Sequence, residues 1–351
     1  MMIWPPLKHT RRSMKRPHPP GSSIHRSLSL VLLVLLGVLS GCLPASSSGS
    51  SGQPTPSPLV NGEVERAPLA AGSINVEPTA VVIATATEPV DGPTMPTATS
   101  KTTLAPGDWM DLPVIPDVSE RAREIYRAGL ALGNDPHVFA KVGDCQNVPS
   151  MFMSIFEYDN YYTLGEENAH LSETIEWFAG SFSRESEAVR RGFNAASVVS
   201  PVWADPEACD PGETPLDCEL RIIHPSIAIV SLETWWAGKP ENYERYVRQI
   251  LERLITQGTL PILATKADNL EGDHRINQIL ASLAFEYDIP LWNFWRAIQP
   301  LPNHGLMEDG FHLTFAPNQF DDPQMMKAAW PWRNLTALQV LTAVWQGVSH
   351  E

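Results

Sequence analysis

The chain is short of cations: 25 Lys and Arg stand against 40 Asp and Glu, a formal charge of -15 over 351 residues. A broad phosphate-binding surface gathers Lys and Arg to release counterions, so nucleic acid is not an expected partner. There are only four cysteines, and no CxxC, HExxH, Walker loop or GxGxxG placed after a strand, so no metal or nucleotide cofactor is expected. No apolar run is long enough to cross a bilayer; the longest, 28–39 (LSLVLLVLLGVL), rises only about 18 Å as a helix. Between 43 and 108 there is no Phe, Trp or Tyr at all. Nothing in the sequence sets an oligomeric state.

What is present begins with an address. Residues 1–26 carry Lys8, Arg11, Arg12, Lys15, Arg16 and Arg26 and no acid, and they lead into the apolar run. This order, with a length suited to a signal-peptide core, predicts export, with Met1 or Met14 as the start. The run stops at Leu39-Ser40-Gly41-Cys42, which resembles a bacterial lipobox. The resemblance implies cleavage after residue 41 and a lipidated Cys42, hence an extracytoplasmic protein held to a membrane by acyl chains. Residues 42–108, with ten prolines and many Ser, Thr, Ala and Gly, cannot bury enough apolar surface to offset their ordering entropy. They are expected to form a disordered tether, in which 80–85 (AVVIAT) is either a docking strand or a loose apolar patch.

From Trp109 to the end the composition is that of one large domain, 109–351, holding 28 of the 29 aromatic residues. Strand-like runs at 137–142 (HVFAKV), 227–232 (IAIVSL), 260–265 (LPILAT) and 290–294 (PLWNF) alternate with helical patterns. One helix opens at Pro240, places Tyr243, Val247, Ile250, Leu251, Leu254 and Ile255 on one face and closes at Gly258; another covers 275–287. Continuous apolar strands between amphipathic helices predict an α/β fold, a three-layer α/β/α sandwich with a central parallel sheet. Ligands of such sheets bind beyond the carboxyl ends of the strands.

The first strand runs into Gly143-Asp144-Cys145, and the alternating region closes with Asp309-Gly310-Phe311-His312-Leu313-Thr314. A tight turn after strand one that presents a nucleophile, with a late Asp-x-x-His, resembles the SGNH/GDSL hydrolase superfamily over most of 137–315. The resemblance implies a flavodoxin-like sandwich and an esterase or acyl hydrolase acting on a small-molecule or glycan ester, such as a glycan O-acetyl group. Cys145 takes the place of the family's serine, Gly192 that of its second-block glycine, and Asp309 and His312 those of its acid and base. Two positions depart. Serine has become cysteine, and Glu233-Thr234-Trp235-Trp236 stands where Gly-x-Asn-Asp is usual, so that Trp235 replaces the oxyanion-binding Asn.

Such a reaction needs a nucleophile near a base, an orienter behind that base and donors aimed at the oxyanion. A Cys beside a His can ionise near neutral pH, so Cys145 is chemically competent. Losing one oxyanion donor costs about 100- to 1000-fold in rate, so weak turnover of ordinary esters is expected. The alternative is a catalytically inactive domain that binds an envelope glycan or other ligand through Trp235 and Trp236. Cys209 and Cys218 flank DPGETPLD and are expected to form a local disulfide. The segments 158–162 (YDNYY) and Trp177-Phe178 are expected to form cleft rim or cap. Arg184 reads as an anion binder or a salt-bridged residue, Lys266 and Asp268 as loop-shaping residues, and His304 as a surface loop residue.

Overall fold

The computed structural model describes residues 104–232 and 239–349. The lipobox, tether residues 42–103 and the segment bearing Glu233, Trp235 and Trp236 lie outside the described residues, whereas 104–108, expected to be tether, belong to the domain: Leu104 packs on the core and the Gly107 N–H donates to Gln278 Oε1 at 2.9 Å.

The central element is a parallel sheet of four strands, β1 (Asp135–Gly143), β3 (Pro225–Ser231), β4 (Leu260–Ala264) and β5 (Leu291–Trp292), in that spatial order. Every residue of β3 and β4 is buried, as continuous apolar runs require when both faces of a sheet are covered. A second, two-stranded parallel ladder joins β2 (Tyr162–Thr163) to β6 (Asn318–Gln319).

Helix α1 (Glu120–Leu132) is capped at its start by the Ser119 hydroxyl, which accepts from the Ala122 N–H, and stops at Gly133, whose φ of 96° suits glycine. Short helices α2 (Ser172–Trp177) and α3 (Ala195–Val198) follow β1. Helix α4 (Pro215–Ile223) begins with a Thr214 cap and proline in its first turn, and leads into β3. The crossovers from β3 to β4 and from β4 to β5 are made by α5 (Pro240–Thr256) and α6 (Arg275–Tyr287). Tyr243, Val247, Ile250, Leu251 and Leu254 of α5 are buried, which is the face expected from their spacing. After β5 come α7 (Phe294–Ile298), capped by Asn293, and the long α8 (Ala329–Ser349). Helices α3 to α6 pack on one another and α1 packs on α8, two groups that flank the sheet in an arrangement consistent with three layers.

The edge of β1 opposite β3 is not bare. Gly143 forms a parallel bridge with Val189, and its N–H donates to Ala188 O at 3.0 Å. The chain therefore leaves β1, touches down on one side of it, and returns to β3 on the other. That reversal puts a topological switch point at Gly143, where open α/β sheets hold their ligands.

Cys209 and Cys218 form the expected disulfide, with Cα atoms 5.2 Å apart. Cys218 sits within α4, so the bond fastens an excursion to a helix as well as closing a loop. No helix among the described residues is long and apolar enough to cross a membrane.

Candidate functional site

Gly143 has no side chain because there is no room for one. A Cβ there would stand 2.2 Å from Asn147 Nδ2 and 2.6 Å from Ser231 O. The Asn147 amide crosses the glycine and donates to Ser231 O at 2.6 Å, closing the carboxyl ends of β1 and β3 over the turn. Asp144 is buried and caps that turn, its carboxylate accepting from the Gln146 N–H at 3.1 Å and its carbonyl from the Asn147 N–H at 3.0 Å. Cys145 follows, half-buried and outside the disulfide. The expected nucleophile thus stands on a rigid turn at the switch point.

Asp309 and His312 are brought together. The Asp309 carboxylate accepts from the Phe311 and His312 N–H groups at 3.0 and 2.9 Å, and its other oxygen lies 2.5 Å from His312 Nδ1. Gly310 takes φ 69° at the bend, a left-handed conformation that glycine adopts without strain. Desolvation works to raise the Asp309 pKa, but the His312 bond and the two backbone donors outweigh it and hold the carboxyl down at about 2. The dyad is open to solvent, with His312 and Asp309 side chains 39% and 48% exposed.

The loop that carries the dyad is anchored to α8. Met307 N–H donates to His312 O at 2.8 Å and Thr314 N–H to Gly305 O at 2.8 Å; Thr314 O in turn accepts from the Trp330 N–H at 3.0 Å. Arg333, three residues and about 4.5 Å further along the helix, is fully buried and donates to Ser231 Oγ at 2.9 Å and Asn147 Oδ1 at 3.3 Å. Its guanidinium lies over the rings of Phe152 and Phe294 at 4.8 and 5.0 Å. One helix therefore ties the dyad loop to the carboxyl ends of β1 and β3. Among the described residues no hydrogen bond joins His312 to Cys145.

Gly192 lies in an exposed turn at φ 84°, three residues beyond the Val189 bridge, and a Cβ on it would meet nothing within 4 Å. Its backbone is accessible from the same end of β1. Behind this turn, Arg184 pairs with buried Glu219, its Nη1 3.2 Å from Oε2, while the Glu187 N–H donates to the same carboxylate at 3.0 Å. Arg184 is salt-bridged rather than available to a substrate. Lys141, buried within β1, donates from Nζ to Phe182 O at 2.8 Å. Burial, with Arg184 second, pushes its pKa down to about 7.

Lys266 is also internal, 2.5 Å from Asp268 Oδ1 and 2.6 Å from Glu271 Oε2. Asn277 accepts from its N–H at 2.8 Å and donates to its carbonyl at 2.9 Å, so the cluster shapes the loop after β4. His304 is an exposed turn residue whose Nδ1 lies 3.0 Å from Gln299 O. One expectation is corrected. Trp177 and Phe178 are not cap: Trp177 donates its indole N–H to Pro136 O at 2.9 Å and stacks on His137, at the amino end of β1, and Phe178 is core. The pair belongs to the end of the sheet remote from Cys145.

Two residues were not anticipated. Arg333 is one. The other is Gln146, 4% exposed, whose amide oxygen and nitrogen have no hydrogen-bond partner among the described residues. Its place beside Cys145 was the only available signal. A convergent ligand-type group, Glu187 with Cys209 and Cys218, has both thiols in the disulfide and is no metal site. Compared with family models and with curated proteins, the chain matches none.

Proposed function

We propose that the domain is an SGNH-like acyl-ester hydrolase or acyltransferase, exported and held to a membrane by lipid on Cys42. The observation that carries the reading is the Asp309–His312 bond on a loop anchored, through α8 and Arg333, to the end of β1 that presents Cys145. Asp309, ionised at any pH above about 2, holds Nδ1 of His312 and leaves Nε2 for the reacting groups. In the proposed step the imidazole takes the Cys145 proton, the sulfur attacks the ester carbonyl carbon, and the C–S bond forms as the carbonyl electrons move to oxygen. Collapse expels the alcohol, which receives that proton from His312. Water, deprotonated by the same ring, then cleaves the thioester, or an acceptor hydroxyl takes the acyl group. The backbone N–H groups of Gly192 and Cys145 serve as oxyanion donors.

The full chain in detergent should release p-nitrophenol from p-nitrophenyl acetate. Cys145→Ala should abolish release, and Asp309→Asn should lower kcat/KM by about 100-fold or more. Turnover unchanged in Cys145→Ala contradicts the assignment.

A second reading, a ligand-binding domain without turnover, is favoured by the cysteine that stands at the turn where the resemblance implies a serine. If Cys145→Ser with Trp235→Asn becomes an esterase where the wild type is none, the binding reading stands.

A further inference from the structure

Between the turn after Cys145 and the segment after His312 lies a cleft of about 390 Å³, lined by Ser150, Tyr161, Tyr162, Phe315, Asn318 and Trp330 among others. The volume is that of a small-ligand site. Its floor is the short β2–β6 ladder, which brings residues 162–163 beside 318–319. Beneath it, buried Asn334 accepts from the Met153 N–H at 2.8 Å and donates to Asn318 Oδ1 at 3.0 Å, so the floor is braced from within α8.

Among the described residues the lining itself holds no Lys, Arg, His, Asp or Glu, and the nearest charges are carboxylates behind it, Asp321 accepting from the Thr163 hydroxyl and Asp159 acting on Tyr162, so an anion finds no counter-charge there. It does hold amides and rings together. Asn160 and Gln319 are exposed and offer donors and acceptors, while Tyr161 and Phe315 are 61% and 69% exposed. Tyr158, also exposed, packs edge-on to Tyr161 with centroids 5.7 Å apart and stiffens that rim. Rings left in water around a neutral amide-bearing cleft mark a site for a ligand with both apolar and hydroxylated faces. Phe315 follows His312 by three residues, which limits their Cα separation to about 11 Å.

We propose that this cleft binds a neutral saccharide ring, with Tyr161 and Phe315 stacking on its C–H faces and Asn160 and Gln319 meeting its hydroxyls. The role assigned to it, holding the glycan whose ester the adjacent dyad attacks, rests on the hydrolase reading; the binding itself does not.

The test is calorimetric titration of the full chain in detergent with neutral gluco-, manno-, xylo- and N-acetylglucosamine oligosaccharides, and with oligogalacturonate as the anionic control. At least one neutral probe should bind, oligogalacturonate should not, and Tyr161→Ala and Phe315→Ala should each weaken binding by about tenfold. Both side chains are largely exposed, so the variants should keep the wild-type near-ultraviolet circular dichroism. Failure of every neutral probe to bind, preference for oligogalacturonate, or binding unaltered in both variants overturns the proposal. Cys145→Ala separates it from the catalytic reading. Binding retained without turnover supports the subsite whatever the chemistry, and esterase activity without saccharide binding removes the subsite and leaves the hydrolase.

Discussion

At the scale of single residues, the site is built by side chains that have given up freedom. Gly143 leaves the space that Asn147 crosses to reach Ser231 O, so a methyl group there collides with an amide and a backbone carbonyl. Gly143→Ala should destabilise the protein by about 1–3 kcal/mol in urea titration, the usual cost of overpacking a tight site. Lys141 makes a pH-dependent statement. Its pKa falls from the ordinary lysine value to about 7 in the folded chain, so between about 7 and 10.4 the unfolded chain binds the additional proton. Stability from this group is therefore full above that window and is lost as pH falls through it. Comparing pH 9 with pH 7, wild type should lose about 2 kcal/mol that Lys141→Met does not lose. Denaturant titrations at the two pH values read the difference directly. Asp309 and His312 were legible because their spacing is local and their loop closes on itself. Arg333 was not, since its partners stand 186 and 102 residues away.

At the scale of elements, legibility followed the clarity of the hydrophobic period. Strands β3 and β4 announce themselves as unbroken apolar runs, and α5 as a proline-opened amphipathic helix whose predicted face is the buried one. Helix α8 gave no such signal, being buried around nearly its whole circumference, so no polar stripe marks it. Strands β2 and β6 are two residues each, and only their mutual pairing makes them strands. The Trp177-Phe178 pair is core and strand-end packing rather than cleft rim or cap, because an aromatic pair in a polar stretch does not tell which end of the sheet a returning chain reaches. Helix α8 joins the dyad loop to both strand ends. Arg333→Met leaves Ser231 Oγ and Asn147 Oδ1 without their donor. It should cost about 1–3 kcal/mol, and esterase activity should fall with it while far-ultraviolet circular dichroism stays native.

At the scale of the whole molecule, a folded α/β domain follows a basic then apolar N-terminal sequence and a stretch without aromatic rings. Cys42→Ala should shift the chain from the membrane fraction to the soluble fraction, because lipid on that residue is the proposed anchor. Retention of the variant in membranes would instead point to the apolar run itself. The acidic balance of the chain fits the neutral lining of the saccharide cleft, since neither invites a polyanion.

Intact-mass and peptide mass spectrometry of the full chain quenched during turnover of p-nitrophenyl acetate reads acylation of Cys145 directly. One added acetyl group is expected, on Cys145, accumulating only far more slowly in His312→Ala and absent from Cys145→Ala. Turnover with Cys145 unmodified, or acetylation that falls elsewhere while Cys145→Ala keeps its rate, would contradict Cys145 as the nucleophile.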